Sequence, residues 1–296
     1  MKMRKKTCSK DNKKIVVFYH DDHDGFGAAW AAWKKFKNRA RYIPIDHPTH
    51  FQDIKRYNLS GTEIYFLDIC LNKEDMEHVR RITSRVIVID HHISKKDVTA
   101  SFPGSVFDIG HSGAFLAWKY FHPRVKMPKI IKYVQDIDLW QWKLRGTEAL
   151  FVALPWTFKF NHWNKLARIL ENKRLVVKYI RMGTIMLQYK TQIIDAIIKD
   201  ADEVRIGNIR AFAVNAPSII HSEVGNALTK KLNGVHVGIS FRVMNHGAFL
   251  YIFLCSDGVV DVSKIAQKYG GGGHKKAAAF VWPLRKPLPF TFVGNK

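Results

Sequence analysis

The chain has 296 residues, 47% of them hydrophobic, which is enough for one large or two medium globular domains. Its 48 Lys and Arg outnumber 25 Asp and Glu, and the net charge of +23 points to an anionic partner, most simply nucleic acid or nucleotide, over a lysine-rich surface kept for solubility. Three widely separated cysteines (Cys8, Cys70 and Cys255) exclude a disulfide framework and a CxxC zinc site, and they fit a reducing cytoplasm.

In chain order, residues 1–14 read as a basic tail with no apolar signal core ahead of Ile15. Lys14–His20 (KIVVFYH) is the pattern of a buried strand, and it runs into Asp21-Asp22-His23-Asp24-Gly25-Phe26-Gly27. Ala28–Phe36 is helical by propensity. Alternation along the loop places His20, Asp22 and Asp24 on one side, a donor set suited to a hard or borderline divalent cation. A helix cap would need only one of these acids.

Arg41–Ile45 reads as a second strand, with Asp46 and His47 before Pro48 expected in a plain turn. Glu63–Leu67 is a third strand and stops at Asp68; a helix over 73–82 and a strand over 85–89 follow, ending in Asp90-His91-His92. Repeated β-α units imply a parallel sheet with right-handed crossovers, so these strand ends share one edge. Ligands collect at the carboxyl ends of such strands.

Ser112 is placed to cap a helix over 114–121, whose N–H groups are also candidates for a phosphate. The next helix, about 128–136, leads to Asp136 and Asp138, two acids in an apolar helix end that need a partner or a metal. Residues 156–201 are amphipathic and helical, with Gly183 as a place to bend or divide. A second α/β unit follows, with strands expected at 209–214, 235–243, 248–254 and 277–281 and helices near 222–232 and 261–269. Four glycines before His274-Lys275-Lys276 form a backbone clamp for an anion. No stretch approaches the ~18 uninterrupted apolar residues of a membrane span. The expected architecture is α/β in two lobes: a metal-binding domain over 15–155, a helical connector over 156–201 and a smaller domain with a mixed sheet over 202–296.

Taken in order, HDDHDGFG at 20–27, Asp68, DHH at 90–92, Asp136 with Asp138 and GGGGH at 270–274 resemble the DHH phosphoesterase family with its DHH-associated C-terminal domain, in its RecJ-like and oligoribonuclease-like branches. The resemblance implies two Mn²⁺ ions, with Mg²⁺ or Co²⁺ as substitutes, held by His20, Asp22, Asp24, Asp68, His91 and Asp136, with Asp138 the alternative to Asp136. It implies His92 beside the substrate phosphate, and substrate contacts from Gly271, Gly272, Gly273 and His274. Where many relatives carry an Arg before the glycine loop this chain has Cys255, and Arg242 on a neighbouring strand is the candidate substitute.

A pair of cations ~3.5–4 Å apart can clamp a phosphoryl group and activate water. His92 is then the candidate acid or oxyanion donor and Asp90 the residue that orients an imidazole. The expected activity is hydrolysis of short single-stranded RNA or DNA by an exonuclease or nano-RNase type phosphodiesterase. Cyclic dinucleotides and 3′-phosphoadenosine 5′-phosphate are alternative substrates, a pyrophosphatase or a non-catalytic nucleotide-binding module are alternatives of other classes, and monomer and homodimer both stay open.

Overall fold

The computed structural model describes residues 14–46, 49–83, 85–231 and 234–294; Cys8, His47 and nearly all of the basic tail lie outside them. Two compact units divide at Thr184.

In the first unit, β1 (Ile15–His20), α1 (His23–Phe36), β2 (Ala40–Ile45), α2 (Phe51–Ile54), β3 (Glu63–Leu67), α3 (Lys73–Ile82), β4 (Val86–Asp90), α4 (Lys96–Ala100) and β5 (Val106–Phe107) alternate strand and helix. The strands form one parallel sheet in the order β2-β1-β3-β4-β5. Then come α5 (Gly113–Phe121), α6 (Lys129–Asp138), α7 (Thr147–Ala153), α8 (Phe160–Glu171) and α9 (Lys173–Lys199).

Both faces of the sheet are covered, which is why its strands read as unbroken apolar runs. Val17 and Tyr19 pack into one core with residues of α1, α5, α6 and α8, while Val16 and Phe18 enter the other with Ile54 of α2 and Met76 and Val79 of α3. Strand alternation assigns the two sets. The chain leaves β1 toward β2 on one side and returns to β3 on the other, so the sheet's switch point lies between β1 and β3, the position where ligands bind in this class of sheet.

The stretch expected as a connector is packed into this unit over much of its length: Trp163, Leu166 and Leu170 of α8 are buried in the first core. The helical run breaks at Asn172, whose side chain accepts from Arg174 N and Leu175 N, rather than at Gly183. Gly183 instead lets α9 press against α7, since a Cβ there would lie 1.9 Å from Ala149 O.

In the second unit, β6 (Asp202–Ile206), β7 (Ile209–Asn215), α10 (His221–Lys231), β8 (Val237–Met244), β9 (Phe249–Ser256), α11 (Val262–Lys268), β10 (Gly272–His274), β11 (Ala277–Pro283) and β12 (Thr291–Phe292) build a mixed sheet ordered β10-β11-β9-β8-β7-β6-β12. The sequence pattern misses β6, a short strand with exposed Asp202 and Arg205 that is held by its hairpin to β7. Among the described residues, no helix is long and apolar enough to cross a membrane.

Candidate metal centre

His20, Asp22, Asp24, Asp68, His91, His92 and Asp138 gather at the carboxyl ends of β1, β3 and β4. His20 ends β1, and the chain turns at once into α1, with Asp22 as its N-cap accepting from Gly25 N at 2.8 Å. The helix therefore begins at His23, five residues before propensity suggests, and Asp22 is both a cap and a member of the cluster. Gly25 is required there because a Cβ would meet His20 O at 2.1 Å. Asp68 follows β3 with φ of +60°, a left-handed conformation that Asp tolerates better than most residues. Its N–H donates to Ile89 O at 2.8 Å, which ties β3's end to β4.

Around Asp68 the contacts are close. His20 Nδ1 lies 2.9 Å from Asp22 Oδ2 and 3.7 Å from Asp68 Oδ2. His91 Nε2 lies 3.1 Å from Asp68 Oδ1, 3.7 Å from Asp138 Oδ2 and 3.9 Å from Asp24 Oδ2. Three sets of donor atoms are near enough together for a cation: His20, Asp22 and Asp68; Asp24, His91 and Asp138; and Asp68, His91 and His92. Asp68 is shared between two of them.

Asp138, not Asp136, is thus the fourth carboxylate of the cluster. Asp136 is buried, and its oxygens accept from Lys143 N at 2.8 Å, Leu144 N at 3.2 Å and Thr147 Oγ1 at 2.5 Å. Two positions along a helix turn a side chain by about 200°, so only one of these two acids can face the cluster.

Asp24 is fully enclosed and takes the first N–H groups of α5: Gly113 N donates to it at 2.5 Å and Ala114 N at 3.1 Å. A carboxylate at a helix N-terminus is well placed electrostatically. This corrects the expected role of Ser112 and the α5 N-terminus in holding substrate phosphate, since those N–H groups already serve an acid. Ser112 is fully buried and accepts from Phe115 N as the helix cap. Gly113 was not anticipated; a Cβ on it would meet Asp68 Cβ at 2.5 Å. Asp46, expected in a plain turn, reaches His20 Nε2 at 3.2 Å. His23 packs edge to face against Phe151, Trp156 and Phe158, so it is part of an aromatic box and not of the cluster.

The electrostatics are those of acids crowded together. Burial, then the charges of Asp68, Asp138 and Asp22, push the Asp24 carboxyl well above its usual range. Burial and Asp68 raise Asp138 to about 7. Burial alone would lower the imidazoles, but Asp22 and Asp68 outweigh it and lift His20 to about 11, while Asp68 and Asp138 lift His91 to about 9. The Asp138 Oδ2 atom is buried without a hydrogen-bond donor. Buried carboxylates in this state call for a cation, and mixed Asp and His donors suit Mn²⁺, Mg²⁺ or a related divalent ion; the residues present fit such a group.

Beside the cluster, His91 N and His92 N donate to Asp90 Oδ1 at 2.7 and 3.1 Å, and His92 Nδ1 lies 2.7 Å from the same oxygen. Asp90 therefore fixes the turn and the His92 ring together. Burial opposes protonation of His92, but the Asp90 hydrogen bond and charge prevail and raise it.

The remaining expected site residues lie in the second unit. Gly272–His274 is a short exposed strand paired with Ala277–Ala279, so the glycine stretch is partly a hairpin and not wholly a loop. Gly270 and Gly273 take positive φ of 79° and 142°. Cys255 is buried, its thiol directed to Ser222 O at 3.5 Å. Arg242 pairs in register with Tyr251, and Gly238 with Cys255. Arg242 thus shares a sheet face with Cys255 but sits about 13 Å further along at the usual strand rise.

A switch-point parallel sheet with an acid and imidazole cluster on its carboxyl edge defines the class, and the sequence agrees: residues 14–137 match the DHH family, N-terminal domain. Over 97% of its length the chain is 27% identical to an uncharacterised protein of Acanthamoeba polyphaga mimivirus, of which the match covers 72%. It is 22% identical to oligoribonuclease NrnB of Bacillus subtilis (strain 168), across 88% of this chain and 71% of that protein. Its fold is similar to that of exonuclease RecJ in a crystal structure with manganese, with a TM-score of 0.50 and 16% identity over 90% of this chain and 85% of that one.

Proposed function

We propose that the first unit hydrolyses phosphodiester bonds of short single-stranded oligonucleotides with the help of two divalent cations. The observation that carries this reading is the convergence of Asp24, Asp68 and Asp138 on His91 with a buried carboxylate oxygen left unpartnered. His20, Asp22 and Asp68 would hold one ion, and Asp24, Asp138 and His91 the other. When bound, such ions neutralise phosphoryl charge and make water nucleophilic at neutral pH.

The chain's own residues do the rest. Gly113 N and Ala114 N hold the Asp24 carboxylate in one orientation, and the Asp68 turn sets the central carboxylate against β4. Asp90 holds the Nδ1 proton of His92, so proton exchange with the substrate runs through Nε2. That nitrogen can donate to the developing charge on the leaving oxygen. In the second unit, Gly271–Gly273, His274 and Arg242 are the candidate contacts for the substrate. The net charge of +23 and the similarity to an oligoribonuclease and an exonuclease support a nucleic-acid substrate over a compact one.

The test is a panel of labelled 2- to 24-mers of RNA and DNA, cyclic dinucleotides, 3′-phosphoadenosine 5′-phosphate and pyrophosphate, incubated with Mn²⁺, Mg²⁺ or chelator. The reading expects metal-dependent cleavage of the short single strands and none by the Asp68→Asn protein. Asn keeps the left-handed backbone at that position. Turnover by Asp68→Asn near that of the unaltered chain would overturn the assignment.

A further inference from the structure

The chain's eight tryptophans divide sharply. Trp30, Trp118 and Trp163 are buried in the first core, and Trp33, Trp156 and Trp282 pack against Phe160, Phe151 and Tyr269. Trp140 and Trp142 alone are exposed, by 62% and 41%, and their rings meet edge to face at 5.4 Å. Both take positive φ, 51° and 52°, a conformation that bulky residues adopt only when the surroundings impose it. The imposing group is Asp136: its backbone oxygen accepts from Gln141 N and Trp142 N, and its carboxylate accepts from Lys143 N, Leu144 N and Thr147 Oγ1. The acid that does not reach the metal cluster thus shapes the loop that follows it.

That loop begins at the cluster. Trp140 is two residues beyond Asp138, at most about 7 Å of chain. Trp140-Gln141-Trp142-Lys143-Leu144-Arg145 also sets the two aromatics beside two exposed cations, Lys143 and Arg145. Exposed rings with interleaved positive charge next to a phosphate-handling centre are the elements of a single-strand binding platform. An exposed rigid indole pair has no counterpart elsewhere in the described residues.

We infer that Trp140 and Trp142 form a stacking subsite for a nucleobase next to the scissile phosphate, with Asp136 as the residue that positions them. The inference rests on the proposed phosphodiesterase reading and deepens it: the substrate must carry a base at that place. Stacking does not read base identity, so the subsite favours bases over their absence and is tolerant of sequence.

The experiment compares a tetranucleotide with the same chain lacking bases at its terminal positions. Affinity is read by fluorescence anisotropy with the Asp68→Asn protein, and KM and kcat with the unaltered chain. The parent is expected to prefer the base-bearing strand, and Trp140→Ala or Trp142→Ala to weaken its binding by roughly 5- to 100-fold. KM should rise more than kcat falls, and Trp→Phe should restore most of the affinity. Equal affinity for base-bearing and abasic strands, or Ala variants that bind both as the parent does, would overturn the inference. So would a change of oligomeric state in the Ala variants, which would mean that the pair covers a second copy. If the unaltered chain cleaves no strand at all, the hydrolytic reading fails, while the anisotropy comparison still decides the subsite.

Discussion

Asp136→Ala and Asp138→Ala are two residues apart and should fail in opposite ways. The Asp136 carboxylate accepts three hydrogen bonds and its side chain is buried. At about 1–1.5 kcal/mol for each bond, its removal costs about 3–5 kcal/mol. For a protein of this size that lowers Tm by about 5–8 °C. Asp138 is held by no comparable set of donors among the described residues and stands among like charges, with Asp68 and Asp22 nearby. Removing it should leave the metal-free protein as stable as before or slightly more stable, and should weaken cation binding by at least about 10- to 100-fold, the loss that removing even a partner behind a ligand brings. Thermal unfolding in chelator and calorimetric titration with Mn²⁺ read the two effects separately. If Asp136→Ala keeps its Tm and loses the metal, the cluster has been assigned to the wrong acid and the loop argument falls with it.

Cation binding should release protons. In the metal-free pocket at pH 7, His20 and His91 are protonated, held at about 11 and about 9, and the raised Asp24 carboxyl favours its neutral form. Ligation requires all three deprotonated, so affinity should climb as pH rises from 6 toward 9; titrations in buffers of different ionisation enthalpy should show roughly three protons released per protein, and none released would refute the pairing. Gly113→Ala forces a methyl group onto Asp68 at 2.5 Å, and should cost about 1–3 kcal/mol while disturbing both metal sets. Unchanged stability and metal affinity in that variant would contradict the packing of α5 on Asp68. With a net charge of +23, cleavage of oligonucleotides at low substrate should fall steeply with added salt, whereas a flat profile would indicate a compact substrate.

The parallel sheet and most of the acid and imidazole cluster at its edge could be read from sequence because each rests on short-range rules. Buried strands appear as apolar runs such as VIVID, and an acid or imidazole at the end of each is visible by position alone. Asp68, His91 and the His20–Asp24 stretch therefore needed no long-range information. Three features did. Asp136 and Asp138 have the same neighbours in sequence, and only the packing of α6 decides that one turns to the cluster and the other to the loop. The N–H groups of α5 read as an open anion site until Asp24, some ninety residues earlier, is seen to occupy them. Asp46 and the exposure of Trp140 and Trp142 carry no local mark, because partnership and burial depend on what the rest of the chain brings alongside. Residue type and period thus set which groups are available at the strand ends, and tertiary packing decides which carboxylate oxygens remain without a hydrogen bond and so call for a cation.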